Sequence, residues 1–393
     1  MSKSLQELSN IHYGKSPNEV RVTESPFPVY GTGGAFGFAS EPIFDGPLVV
    51  VARKGTLTSP SYVPNPCWVI DTAYAVIAKE DVNAKWLYYQ IANFDLSSLN
   101  EATGVPSISR DYLYRVSFVD TDPNEQKKIA RILTTLDNLI EKTEALIAKY
   151  QAIKQGVMHD LFTRGVDEHG QLRPAQQQAP DLYKQSELGW IPKDWDDPTT
   201  LGAISHFDSG YAFKNQELTE FGWKIVRITN LHRPNFPYWR FGGKPKDSWI
   251  VRKGDLLFSW AGVASSIDAY LYRGEDALLN QHIYNIRIEP EQLRQFVFHW
   301  LQFILPRLRS EIEGGAGQLH LTKGKIQNIG VALPCPEELP ELLRRITSIE
   351  NRISSEEEYR AKLLLTKTGL MQDLLTGKVR AKVDEVDEVD AHA

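Results

Sequence analysis

The stretch Trp223 to Lys253 carries Lys224, Arg227, Arg233, Arg240, Lys244, Lys246, Arg252 and Lys253 against one acid, Asp247. Trp223, Phe236, Tyr238, Trp239, Phe241 and Trp249 are interleaved with them. Cations neutralise phosphates and flat rings pack on sugars and bases, so this mixture suits a nucleic-acid surface. Charge is also unevenly spread along the chain. Residues 197–334 hold 16 basic and 13 acidic residues, whereas residues 1–121 hold 9 and 12. The later region is the more evident DNA-facing one.

Catalytic constellations are harder to find. No G-x-x-x-x-G-K-[ST] loop is present, and the glycine runs Gly31–Gly37 and Gly314–Gly317 lack its spacing. Asn65-Pro66-Cys67-Trp68 approaches the Asn-Pro-Pro-aromatic tetrad with which adenine methyltransferases hold an extruded base. Its second proline is replaced, and no Gly-rich βαβ unit precedes it, so it reads as a turn before a strand over Val69–Val76. The histidines never adopt a paired metal spacing, and His282 and His320 read as loop residues or polar contacts. No catalytic residue, metal ligand or bound cofactor is expected in this chain. Cys67 and Cys335 cannot build a disulfide framework, and no apolar stretch is long enough to span a bilayer. The expectation is a protein of the cytoplasm that does not contact a membrane.

The elements that must position this chemistry are repeated. A shift of 213 residues superposes Pro123 on Pro336, Glu125 on Glu338, Asn138 on Asn351, Lys154 on Lys367, Met158 on Met371 and Leu161 on Leu374. A second echo, at 196, sets Leu5, Ile11 and Gly14 on Leu201, Phe207 and Gly210. Asp122 as N-cap, Pro123 at the first helical position and Glu125 placed for a capping box open a long helix. Ile129, Ile132, Leu136, Leu139, Thr143, Leu146, Tyr150, Ile153 and Val157 then recur at spacings of three and four, a heptad seam. About 40 such residues make a rod of roughly 60 Å. In the second copy, Leu342, Ile346, Ile349, Ile353, Leu363, Leu370 and Leu374 keep an apolar face that Glu356–Glu358 interrupt, and Pro340 places the start at Leu339 or Pro340. Each seam needs a cover, and the simplest is the other copy, packed antiparallel.

Around the helices, Pro47–Ala52, Ile225–Ile228, Asp255–Trp260 and Ile283–Ile288 read as strands, while Trp86–Ile91 and Leu293–Leu308 read as helices. The fold class is therefore α+β. Two mixed α/β regions, 1–121 and 197–334, alternate with long helices at 122–164 and 335–380. Residues 165–196, rich in Gly, Pro and Gln, read as a linker, and 381–393 as a disordered acidic tail. With 393 residues, 42% hydrophobic and 24% charged, the chain is an ordinary globular one, and its net charge of −6 argues against binding by bulk positive charge. The tail contributes five acids and one base to that total, which leaves the rest close to neutral.

The helix start Asp122-Pro-Asn-Glu-Gln, the helix ends Lys154-Gln-Gly-Val-Met-His-Asp-Leu-Phe-Thr-Arg-Gly and Lys367-Thr-Gly-Leu-Met-Gln-Asp-Leu-Leu-Thr-Gly, and the bridge Ser186-Glu-Leu-Gly-Trp-Ile-Pro-Lys-Asp-Trp195 resemble the specificity subunit of type I restriction-modification enzymes. The resemblance covers nearly all of the chain except the acidic tail. It implies two target recognition domains, each reading one half of a bipartite asymmetric site in double-stranded DNA. It also implies a pseudo-twofold pair of antiparallel helices that fixes the separation of the half-sites and docks two methyltransferase subunits. S-adenosylmethionine would then belong to those subunits, and ATP to restriction or translocase subunits. Among the positions matching family landmarks, Asn230, Gln281 and His282 have the chemistry of base-edge hydrogen bonds. Lys15, Arg53, Lys54, Arg110, Arg227, Arg233, Lys323 and Lys325 suit phosphate contact. Two other classes remain open: a stand-alone fused restriction or methylation enzyme, and a protein-binding coiled-coil scaffold.

Overall fold

The computed structural model describes residues 2–57, 59–313 and 322–382. The Gly314–Gly317 run, His320 and the acidic residues from 383 onward lie outside the described residues. Contacts divide the chain into two compact units, residues up to Leu146 with those from Glu356 onward, and Ile147–Ser355. The long helices are thus shared between the units instead of forming a body of their own.

In the first unit, strands Ser9–Tyr13, Ala73–Ala78, Leu48–Ala52 and Ser61–Val63 lie in that order in an antiparallel sheet. The sequence Leu-Val-Val-Val-Ala of the third is buried at every position, as an unbroken β-branched run covered on both faces should be. One face packs on the helix Ala84–Asn93, on Ile129 and Leu133 of the first long helix and on Leu374 and Leu375 of the second. A smaller sheet sets Arg21–Val22, Gly34–Ala39, Phe27–Gly31 and Trp68–Val69 side by side, the last pair parallel.

The second unit repeats this plan. Its sheet runs His206–Ser209, Ile283–Arg287, Leu256–Ser259 and Asp268–Leu271, and its smaller sheet again pairs Leu218–Val226 in parallel with Ala277–Leu279. Even the short bridges match: Ser2–Ser4 with Ser117–Val119 in one unit, Thr199–Thr200 with Gly330–Val331 in the other. The echo at Gly14 and Gly210 has a steric cause. A Cβ on Gly14 would lie 2.1 Å from the Ile70 carbonyl oxygen, and one on Gly210 2.2 Å from that of Asn280. Only glycine lets the backbone pass so close.

The first long helix spans Pro123–Arg164 and the second Leu339–Leu375; the second starts at Leu339, as Pro340 implied, and ends before the expected boundary at 380. Within each unit their halves run antiparallel. Arg360 pairs with Glu144 and Lys367 with Asp137 in the first unit, and Lys154 with Glu350 in the second. The expected seam is partly corrected: Leu139 and Ile153 are exposed, whereas Ile129, Leu133, Ile140, Thr143, Met158 and Leu161 are buried. A strict 3.5 repeat drifts around a helix of 3.6 residues per turn, and the buried stripe follows the helix. Glu125 also departs from expectation. Asp122 accepts the Asn124 N–H at 2.9 Å, but the Glu125 carboxylate is buried and receives the Ala381 N–H and Arg380 Nη1, each at 2.9 Å.

Residues 165–196 are more than a linker. They contain the hairpin Tyr183–Ser186 with Gly189–Pro192 and bury Val166, Arg173, Ile191 and Trp195. The anchor is Glu338, repeat partner of Glu125. Its carboxylate accepts from Arg173 Nη1 at 3.0 Å, Trp195 Nε1 at 2.8 Å and the Val166 N–H at 2.5 Å. Composition does not reveal such a partner, because Glu338 is distant in sequence and stands just before the second helix. The strand expected over Val69–Val76 is two strands, Trp68–Val69 and Ala73–Ala78, separated by a turn. Among the described residues no helix is long and apolar enough to cross a membrane.

Candidate nucleic-acid interface

Three strands of the first unit end together. Ser9–Tyr13 and Leu48–Ala52 finish where Ala73–Ala78 begins, so Tyr13, Arg53 and Tyr74 meet at one edge of the sheet. The ring of Tyr13 carries two guanidinium groups, Arg53 at 5.2 Å and Arg110 at 5.0 Å from its centre. Arg53 is steadied by donating from Nη1 to the Asp71 carbonyl at 3.1 Å. Arg110 opens the short helix Arg110–Arg115, capped by the Ser109 hydroxyl, which accepts the Tyr112 N–H. Tyr74 packs beside Tyr13 and donates to the Ile108 carbonyl at 3.0 Å. Burial pushes its phenol up to about 12, so it stays a neutral donor at neutral pH.

Lys54 is exposed and sits on a bridge to Ser107. Lys15 follows the tight Gly14 crossing, its backbone fixed by bonds to Val69 and from Trp68 Nε1, with the side chain exposed. Of the four cations expected from this region, Lys15, Arg53 and Lys54 follow strand ends at one end of the sheet, and Arg110 comes from the start of a short helix beside them.

The matching edge of the second unit is built differently. Trp260 stands where the first unit has Arg53, Ser209 where it has Tyr13, and Tyr284 where it has Tyr74. Trp260 stacks on Tyr284 at 5.8 Å and meets the His282 ring at 5.5 Å. Gln281 Nε2 lies 3.2 Å from His282 Nε2, and Gln281 Oε1 is buried with no hydrogen-bond partner among the described residues. Lys323 and Lys325 are exposed on the short helix Lys323–Gln327, the counterpart of Arg110–Arg115.

A third group lies on the smaller sheet. Arg227 is stacked 4.1 Å from the Trp239 ring centre and donates to the Pro237 carbonyl at 2.8 Å and to Asn230 Oδ1 at 3.3 Å. Asn230 in turn donates to the Phe236 carbonyl at 2.9 Å and is 3% exposed. Its amide braces this loop, and its position does not offer it to a ligand. Arg233 is exposed on the same loop. The basic stretch is also less uncompensated than its sequence suggests: Glu275 pairs with Lys224 at 2.9 Å, and Asp276 lies 3.9 Å from Arg252. Both acids are distant in sequence.

The sites that could have been catalytic are structural in character. Cys67 of the near-tetrad is fully buried, its backbone bridges Phe44, and burial pushes its thiol up to about 11. Trp68 spends its indole N–H on the Lys15 carbonyl. Asp194, Cys335 and Glu338 converge, but Arg173 lies 2.6 Å from Asp194 and 3.0 Å from Glu338 and supplies their positive charge. Sequence reading missed Tyr13, Tyr74, Trp260 and Tyr284. The signal was present in Tyr13 preceding the tight Gly14 and in aromatic residues at strand ends, beside cations already singled out.

Comparison with known proteins is consistent with this geometry. The pattern described as "Type I restriction modification DNA specificity domain" matches residues 1–151 and 192–365. The type I restriction enzyme MjaVIII specificity subunit of Methanocaldococcus jannaschii is 28% identical over 306 residues, 73% of this chain and 68% of that protein. The putative MjaX specificity subunit of the same organism is 27% identical, over 77% of this chain and 70% of that one. Among solved structures, the type I restriction-modification S subunit from M. genitalium matches with a TM-score of 0.64 at 15% identity, over 95% of this chain and 96% of that one. The family pattern spans both units and most of the chain, and the protein belongs to the family of type I restriction-modification specificity subunits.

Proposed function

We propose that this chain is the DNA-reading subunit of a type I restriction-modification complex, recognising a bipartite asymmetric site with one domain per half-site. The observation that carries the reading is the duplicated sheet edge, which in each unit gathers flat rings, with guanidinium groups in the first and exposed lysines on a neighbouring helix in the second. Such edges offer stacking surfaces and phosphate ligands together. The long helices space the half-sites and dock two methyltransferase subunits. Leu139 and Ile153 on the first helix, and Leu364 and Leu365 on the second, leave apolar surface for that contact. S-adenosylmethionine is bound by the methyltransferase subunits, and ATP by restriction or translocase subunits. The setting is the cytoplasm.

Duplex DNA binding by the purified chain, with and without methyltransferase subunits, tests this reading. Affinity should fall steeply with salt and rise when two methyltransferase subunits are added, while the chain alone binds no S-adenosylmethionine. Salt-independent or absent DNA binding by the complex would favour the scaffold reading. Cofactor binding by the chain alone would favour the enzyme.

A further inference from the structure

The two sheet edges share a topology and differ in chemistry. In the first unit, Arg53 and Arg110 both lie on one half-exposed ring, Tyr13, and among the described residues neither makes an ion pair with a carboxylate. Two like charges held about 5 Å from the same ring centre concentrate positive charge at this edge. Arg53 is further restrained by the Asp71 carbonyl, and Arg110 by its place at the start of a capped helix. The second unit keeps the frame but replaces the pair, with Trp260 at the Arg53 position, Ser209 at that of Tyr13 and Lys323 at that of Arg110. A conserved frame with exchanged contents is expected where two domains read different bases at equivalent positions.

We propose that Arg53 and Arg110, held over the Tyr13 ring, are the guanine-reading pair of the half-site bound by the first domain. A guanidinium lying against a ring presents its N–H fork edge-on, the shape that matches O6 and N7 of guanine in the major groove. An exposed lysine such as Lys54 lacks that fork and serves the phosphates.

This inference rests on the two-half-site reading, and the experiment separates the two. Complete systems carrying the native chain, Arg53→Ala, Arg110→Ala or Arg110→Lys are expressed with a randomised plasmid library, and modified adenines are mapped. The native chain must first give a split motif; a continuous motif would overturn the underlying reading. Given a split motif, each variant should lower the preference for guanine at one position of one half-site at least about tenfold, leaving the other half-site unchanged. Arg110→Lys keeps the charge and loses the fork, so it should relax the motif even if Arg110→Ala yields no active complex. Methylation weakened evenly over all sequences would make both residues phosphate contacts and overturn the proposal. An unchanged motif, or a native half-site without guanine, would do the same.

Discussion

Lys154 Nζ stands 2.7 Å from Glu350 Oε1, and the shift of 213 that carries Lys154 to Lys367 carries Asp137 to Glu350. Lys367 and Asp137 are themselves paired at 2.5 Å. In each unit an ion pair thus joins the two long-helix segments at the same repeat positions, and the first unit adds Arg360 with Glu144. Polar pairs inside an otherwise apolar seam fix register, because any slip leaves charge half-buried without a partner.

Lys154→Met should therefore destabilise the protein by about 1–2 kcal/mol, less than a fully buried pair because both side chains keep about a quarter of their exposure. The double variant with Glu350→Met should recover part of the loss. Denaturant midpoints for the four proteins give the coupling, and strict additivity would mean that the pair does not set register.

His299 packs beside that pair, its Nδ1 3.8 Å from Glu350. Burial is the main cause that pulls its pKa down to about 4; Glu350 opposes the shift and Lys154 adds to it. At neutral pH the ring is uncharged, and Lys154 is the partner of Glu350. The unfolded chain takes up a proton near pH 6.5, so the stability from burying neutral imidazole is present above that pH. It is lost as pH falls toward 4, by up to about 3 kcal/mol. His299→Gln should flatten the stability profile between pH 6.5 and 4. An equal slope in both proteins would assign the acid sensitivity elsewhere.

Glu338 holds Arg173, Trp195 and the Val166 N–H in one buried cluster. Glu338→Ala leaves the Arg173 guanidinium short of its main counter-charge, a cost of about 3–5 kcal/mol. Thermal unfolding should show a large drop in Tm, and Arg173→Met in the same chain should return part of it. A loss under 1 kcal/mol would mean that Asp194 alone suffices for Arg173.

The spacer role predicts a change in the recognised site. A heptad inserted into both long helices, away from Asp137, Lys154, Glu350 and Lys367, should lengthen the unread gap while leaving the bases of each half-site unchanged. Mapping modified adenines checks this, and an unaltered gap would contradict the ruler.

The repeat was legible because its positions do a physical job: Gly14 and Gly210 allow a close crossing, while Glu125 at the start of the first long helix and Glu338 just before the second receive distant chain. Strands such as Leu48–Ala52 were legible from their β-branched runs. The contacts that depend on distant partners were not. Periodicity alone assigned Leu139 and Ile153 to the seam, although the helical twist turns them outward. Residue type alone marked Asn230 as a base reader, whereas the fold spends its amide on Phe236 and Arg227. The ring beneath Arg53 and Arg110 became visible only when three strand ends were brought together.

We propose that this chain dictates a split recognition sequence. The most direct test is the map of modified adenines in a plasmid challenged with this chain plus its methyltransferase subunit, compared with the methyltransferase subunit alone. One motif of two defined half-sites around an unread gap is expected, present only with this chain. A continuous motif, or the same methylation without the chain, would contradict it.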